Sequence, residues 1–133
     1  MRIVITFGQG GREGVFRGEL NESAAAQALA RVLPATGRAN VWGEELYWAV
    51  PVKAGLDPEA SDLREVGDLA YWPPGQAFCI FFGRTPASHG SEPRAASAVN
   101  LIGRLELADE TVAALKAVPS GAAVTIAAAD APT

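Results

Sequence analysis

Few side chains in this sequence could do acid–base, nucleophilic or metal chemistry. His89 is the single histidine, so no pair of histidines can hold a metal or relay a proton. A general-base role would need a carboxylate brought to it from elsewhere. Between Ser88 and Gly90 in a polar stretch, it reads as an exposed loop residue. Cys79 is the single cysteine, which excludes an intrachain disulfide and any multi-cysteine metal site. It lies within the apolar run Ala77 to Phe82, opposite Phe78 and Ile80. Burial there would raise the thiol's pKa and leave it unreactive. Glu44 and Glu45 fall on opposite sides of one strand, so at most one points into an interior or a pocket, and they are not a glycosidase-type pair. Arg84, Glu92 and Arg94 share one polar stretch. They could converge to read a carboxylate or phosphate by bidentate hydrogen bonds, or be solvated loop ion pairs. Gly8-Gln9-Gly10-Gly11 lacks the Gly-Lys-Ser/Thr ending of a phosphate-cradling loop and opens no helix, so it reads as a turn.

The elements that must position these groups are mostly strands. Met1 to Phe7 alternates Ile3, Ile5 and Phe7 with Val4 and Thr6, a β pattern, and Val15 to Leu20 follows the glycine turn as its hairpin partner. Asn21 and Ser23 offer side-chain oxygens to the amides of a helix from about Ala24, with Ala25, Ala28, Leu29, Val32 and Leu33 at helical spacing until Pro34. Val41 to Val50 reads as one strand, with Leu46, Trp48 and Val50 on one face and Glu45, Tyr47 and Ala49 on the other. Lys53 to Glu65 is acidic and weakly periodic, hence an exposed connection. Leu69 to Trp72 and Ala77 to Phe82 flank Pro73-Pro74-Gly75 as a central hairpin, the second arm apolar enough to be covered on both faces. Arg84 to Ser97 is a long polar loop, of a length that is often functional. Ala98 to Leu107 is a strand, Asp109 to Val118 a short helix capped by Asp109, and Ala122 to Ala128 a closing strand. Residues 1–129 form a single domain, and Asp130 to Thr133 is a frayed tail.

Composition bounds the function. A chain of 133 residues can bury a real core without staples. A formal charge of −4 with no block of consecutive Lys or Arg argues against nucleic acid as a partner. Met1 to Phe7 is too short an apolar run for a signal peptide or a membrane span, and no later segment reaches membrane length. A soluble, cytoplasmic protein is expected, with no metal or cofactor. The oligomeric state is left open.

The order of these elements, together with certain residues, resembles the cyclophilins along nearly the whole chain. Gly67-Asp68-Leu69 resembles the cyclophilin G-x-L, Phe81-Phe82 its paired phenylalanines, Ile102-Gly103-Arg104-Leu105 its F-G-K-V and Val124-Thr125-Ile126 its last strand. With Trp42-Gly43-Glu44 and Tyr71-Trp72-Pro73-Pro74-Gly75, the sequence is most similar to a prokaryotic family of short cyclophilin-like proteins of unassigned activity. The resemblance implies a mainly β fold, a small closed barrel of about eight strands with one long and one short capping helix.

Cyclophilins isomerise X-Pro bonds by holding proline in an apolar pocket and directing an arginine at the twisting peptide. Aligning their F-H-R-x-I-P so that its proline meets Pro51 puts Trp48 where the arginine belongs, and no arginine occurs between Ala39 and Leu63. The glutamine before their phenylalanine pair is Ile80, and Arg84 to Val99, matching the segment that carries their ring-binding Trp and His, has no Trp. The resemblance therefore implies an apolar wall without its cation. Phe78, Ile80 and Phe82 are expected to open on the pocket, with Trp48 and Trp72 beside them and Arg84 and Arg94 above. For Phe82, Trp72 and Trp48, pocket and core remain equal alternatives. Three functions stay open: a binding module for a peptide or small metabolite, a prolyl isomerase of atypical site, or an accessory subunit of a larger enzyme.

Overall fold

Alternation along the first and last strands produces the frame of the molecule. The computed structural model describes residues 1–129, so the expected tail, 130–133, lies outside the described residues. In β1 (Arg2–Phe7) the side chains of Ile3, Ile5 and Phe7 are wholly buried. β1 pairs antiparallel with β2 (Gly14–Leu20) on one side, Ile5 facing Phe16, and with the closing strand (Ala123–Ala128) on the other, Ile5 facing Ile126.

Helix α1 (Ala24–Ala30) begins where expected: Ser23 Oγ accepts from the Ala26 amide at 3.3 Å, and Asn21 Oδ1 accepts from the Ser23 amide at 3.0 Å. It stops before Pro34 because the residue preceding a proline is pushed out of helical geometry. At seven residues α1 is a short helix where a long one was expected. The second, α2 (Thr111–Lys116), starts after Glu110 with no side-chain cap, so Asp109 does not play the part expected of it; Thr111 Oγ1 accepts instead from the Ala108 amide in the turn ahead of the helix.

The middle of the chain supplies β3 (Ala35–Arg38), β4 (Asn40–Val41), β5 (Glu45–Ala49), β6 (Ser61–Leu63), β7 (Asp68–Trp72), β8 (Ala77–Phe81) and β9 (Arg94–Leu105), which makes the closing strand β10. The hydrogen-bonded order is β3-β10-β1-β2-β9-β7-β8-β5-β4, all pairs antiparallel, with β6 on β9. The fold is mainly β, and its ten strands exceed the eight or so expected because β3, β4 and β6 are too short to leave an alternating pattern. No ladder joins β3 to β4; the two ends of the path are consecutive in the chain, separated by Ala39.

Two expectations change here. The strand expected over 41–50 is a tight hairpin: Trp42 and Glu45 exchange backbone hydrogen bonds across Gly43, which has φ +59°. A Cβ at Gly43 would meet Thr85 Cα at 2.8 Å, so only glycine lets this turn pack against the loop beside it. The polar loop is shorter than expected, since β9 starts at Arg94.

β9 does two jobs. Its second half pairs with β2 and β7, while its first half pairs with β6 after a register shift and lies over the far side of the hairpin. Ala95 and Val99 thereby cover Ala70, Ala77, Cys79 and Phe81, with Tyr47 and Trp72 at the margin. The main core, on the other face, holds Ile3, Ile5, Phe7, Leu46, Trp48, Leu69, Phe78 and Ile80. Burial on both faces is what an unbroken apolar run such as β8 requires.

Candidate functional site

Between the arm of β9 and the β5 and β7 strands lies a groove of about 220 Å³, lined by Trp42, Glu45, Tyr47, Trp72, Ala95, Ala96 and Val99. Each wall follows from local structure. Trp42 sits in the β4–β5 turn, which the following loop holds: the Glu44 amide donates to Arg84 O at 2.8 Å, the Arg84 amide to Glu44 Oε1 at 3.3 Å, and Lys116 pairs with Glu44 at 3.1 Å. Glu45 and Tyr47 project from alternate positions of β5 on the side away from Leu46 and Trp48. Trp72 ends β7, and its indole Nε1 donates to Ser97 Oγ at 2.7 Å, bridging to the arm of β9.

Glu45 is the unusual member. It is 6% exposed, and its Oε1 has no hydrogen-bond partner among the described residues. Burial pushes its pKa up to about 7, opposed in part by the neighbouring Cys79 thiol. Cys79 is pushed well up by its own burial and then by the carboxylate, so it is an inert protonated thiol, as its place in the apolar run implied. A carboxyl that titrates near neutrality inside an aromatic groove can accept from a cationic or N–H ligand when ionised, and donate when protonated.

Of the residues expected at the pocket, Trp72 alone lines this groove. Phe78, Ile80 and Phe82 lie in the main core, because the strand face that turns toward the arm of β9 is that of Ala77, Cys79 and Phe81. Trp48 is 1% exposed, with its ring centroid 5.0 Å from that of Phe78 and 5.6 Å, edge-on, from that of Phe7. Arg94 is spent on nearby carboxylates: it pairs with Asp62 of β6 at 3.2 Å and with Glu92 at 3.0 Å. The His89 and Gly90 amides donate to the Glu92 carboxylate, whose pKa is lowered to about 2 chiefly by those two hydrogen bonds. Arg84 is exposed and contributes its backbone to the Glu44 contacts. His89 is exposed. Sequence reasoning missed Trp42, Tyr47, Ala95, Ala96 and Val99, and left Glu45 undecided against Glu44. The available signal was Glu45 itself, a charge heading a strand whose neighbours are apolar.

Among the described residues, no three His, Cys, Asp or Glu side chains gather as a metal site, and no helix is long and apolar enough to cross a membrane. A family model described as Cyclophilin-like matches residues 1–127. The solution structure of a hypothetical protein from Archaeoglobus fulgidus is similar at 38% sequence identity, covering 97% of this chain and 95% of that one, with a TM-score of 0.78. No curated protein matches.

Proposed function

The chain belongs to the Cyclophilin-like family, and from that premise we propose that it is a ligand-binding module that takes a peptide side chain or small metabolite in the groove of Trp42, Tyr47 and Trp72, without efficient prolyl isomerisation. The observation that carries this reading is an aromatic hollow lined by a buried glutamate whose Oε1 has no hydrogen-bond partner among the described residues. Concave apolar surfaces with one or two convergent polar groups are the usual form of ligand sites. Doubt about isomerisation rests on charge: no arginine is among the lining residues, and Glu45 supplies the opposite sign where the twisting peptide needs a donor.

We also read the sheet as a barrel closed by chain rather than by a ladder. In support, Ala39 joins the two ends of the strand path, its amide donating to Ala122 O at 2.9 Å while its carbonyl accepts from the Gly121 amide at 2.7 Å. The free, buried thiol fits a reducing, cytoplasmic setting.

The test pairs a protease-coupled assay on a proline-containing peptide with amide chemical-shift mapping by the same peptide. Shifts confined to the groove, absent in Trp72→Ala and unaccompanied by a rate, are expected. Acceleration that Trp72→Ala abolishes would instead establish an atypical isomerase.

A further inference from the structure

Resting on the ligand-binding reading, we infer that the groove selects a small organic ammonium, a protonated primary or secondary amine whose N–H donates to the Glu45 carboxylate while its apolar body lies against Trp42, Tyr47 and Trp72. Three observations lead there. First, the Glu45 side chain that lines the groove is more than nine-tenths buried and its Oε1 has no hydrogen-bond partner among the described residues, a state that is penalised while the carboxylate lacks donors. Second, the walls present three aromatic rings, and the negative face of an aromatic ring attracts a cation within about 6 Å. Third, the chain's own cations nearby are engaged or turned away: Lys116 on Glu44, Arg94 on Asp62 and Glu92, and Arg84 out in solvent.

Size and charge narrow the ligand. At about 220 Å³ the groove is smaller than the roughly 300–1,000 Å³ of drug-sized sites, so its occupant is a fragment, one ring or a short branched chain with one amine. An anion would meet a like charge in a desolvated site, and a hydrocarbon would seal the carboxylate away from water without satisfying it. Of the groups around Glu45, Cys79 on β8 is a protonated thiol, and Trp72 on β7 and Ala95, Ala96 and Val99 on β9 carry no charge. Tyr47 on the same strand supplies a ring to the wall. The carboxylate's charge is therefore left for the ligand to balance.

Benzylamine, protonated across the range used, and benzyl alcohol, its neutral counterpart of nearly the same shape, are the probes. Each is titrated into the full chain between pH 5 and 8, followed by amide shifts and tryptophan fluorescence. Benzylammonium should bind at least tenfold more tightly than benzyl alcohol at pH 8. Its advantage should fall roughly tenfold per pH unit below 7, as protons compete for the same carboxylate. Glu45→Gln should erase the advantage and keep the weaker binding of the alcohol; should that variant fail to fold, the pH series on the unaltered chain decides by itself. Equal affinities in the groove, or affinity for the amine that rises toward low pH, overturn ammonium selection and leave the ligand-binding reading intact. Groove shifts with the proline peptide but with neither probe overturn the selection alone. If neither probe nor peptide perturbs the groove, both readings fall.

Discussion

A glutamate held 6% exposed, with one oxygen unpartnered, resists ionisation, and that resistance makes stability depend on pH. Its carboxyl titrates near 7 in the folded chain against an ordinary value of 4.5. Below about 4.5 the group is neutral in both states and its contribution to stability is fully present. Between 4.5 and 7 the unfolded chain ionises while the folded chain keeps its proton, so stability is lost as pH rises, by about 3 kcal/mol in all at 1.36 kcal/mol per unit. Denaturant unfolding at pH 4.5, 6 and 8 should show this decline and Glu45→Gln should remove it; an unaltered chain whose stability does not fall would mean that Glu45 is solvated. The two tryptophans Trp48 and Trp72 make a second comparison. Trp48→Ala empties the main core and should destabilise by about 3–5 kcal/mol. Trp72→Ala, at the half-buried margin, should abolish groove binding at a much smaller loss of stability, read by urea midpoints and by ligand titration.

At the scale of elements, β9 is the strand that builds the groove, and one glycine allows its position. Gly103 faces Leu20 on β2 and Leu69 on β7, and an added Cβ would collide with the Glu19 carbonyl oxygen, a backbone atom that moves only if the strands part. Gly103→Ala should therefore destabilise by about 1–3 kcal/mol and lower the thermal midpoint, as overpacking does. An unchanged midpoint would mean that the β2–β9 register is not the one described. The loop before β9 depends on Glu92 in a different way. Its carboxyl sits near 2, below the ordinary value, so the loop's support is present above about pH 4.5 and lost as pH falls toward 2. In Glu92→Gln the His89 and Gly90 amides should exchange faster with solvent at neutral pH, with the rest of the sheet unaffected; unchanged exchange at those two amides would refute the carboxylate's role.

For the whole molecule, the two ends of the strand path meet at Ala39. If that junction locks them, no part of the sheet can open independently, and the Ala39 and Gly121 amides should exchange as slowly as those of Ile5 and Ile80. Tryptophan fluorescence and far-UV circular dichroism should then trace one coincident unfolding transition. Fast exchange confined to Ala39 and its neighbours would describe an open sheet with a loose seam.

Much of this architecture was legible in the residues. Ile3, Ile5 and Phe7 alternate strictly enough to define β1, Pro73-Pro74-Gly75 between apolar runs defines the β7–β8 turn, and the unbroken run at Ala77 to Phe82 implied a strand covered on both sides. The motifs around Gly67-Asp68-Leu69 and Phe81-Phe82 led to the family. The identity of the groove-facing side was not legible, because β8 is apolar on both faces. Alternation reveals which side chains travel together, and nothing in it distinguishes the set of Phe78 and Ile80 from that of Cys79 and Phe81. Tertiary structure decided the matter when β9 bent back and laid Ala95 and Val99 over the second set, leaving Glu45, Tyr47, Trp42 and Trp72 around the gap. Contacts between residues so far apart in sequence are set by packing across the sheet, which no local pattern encodes.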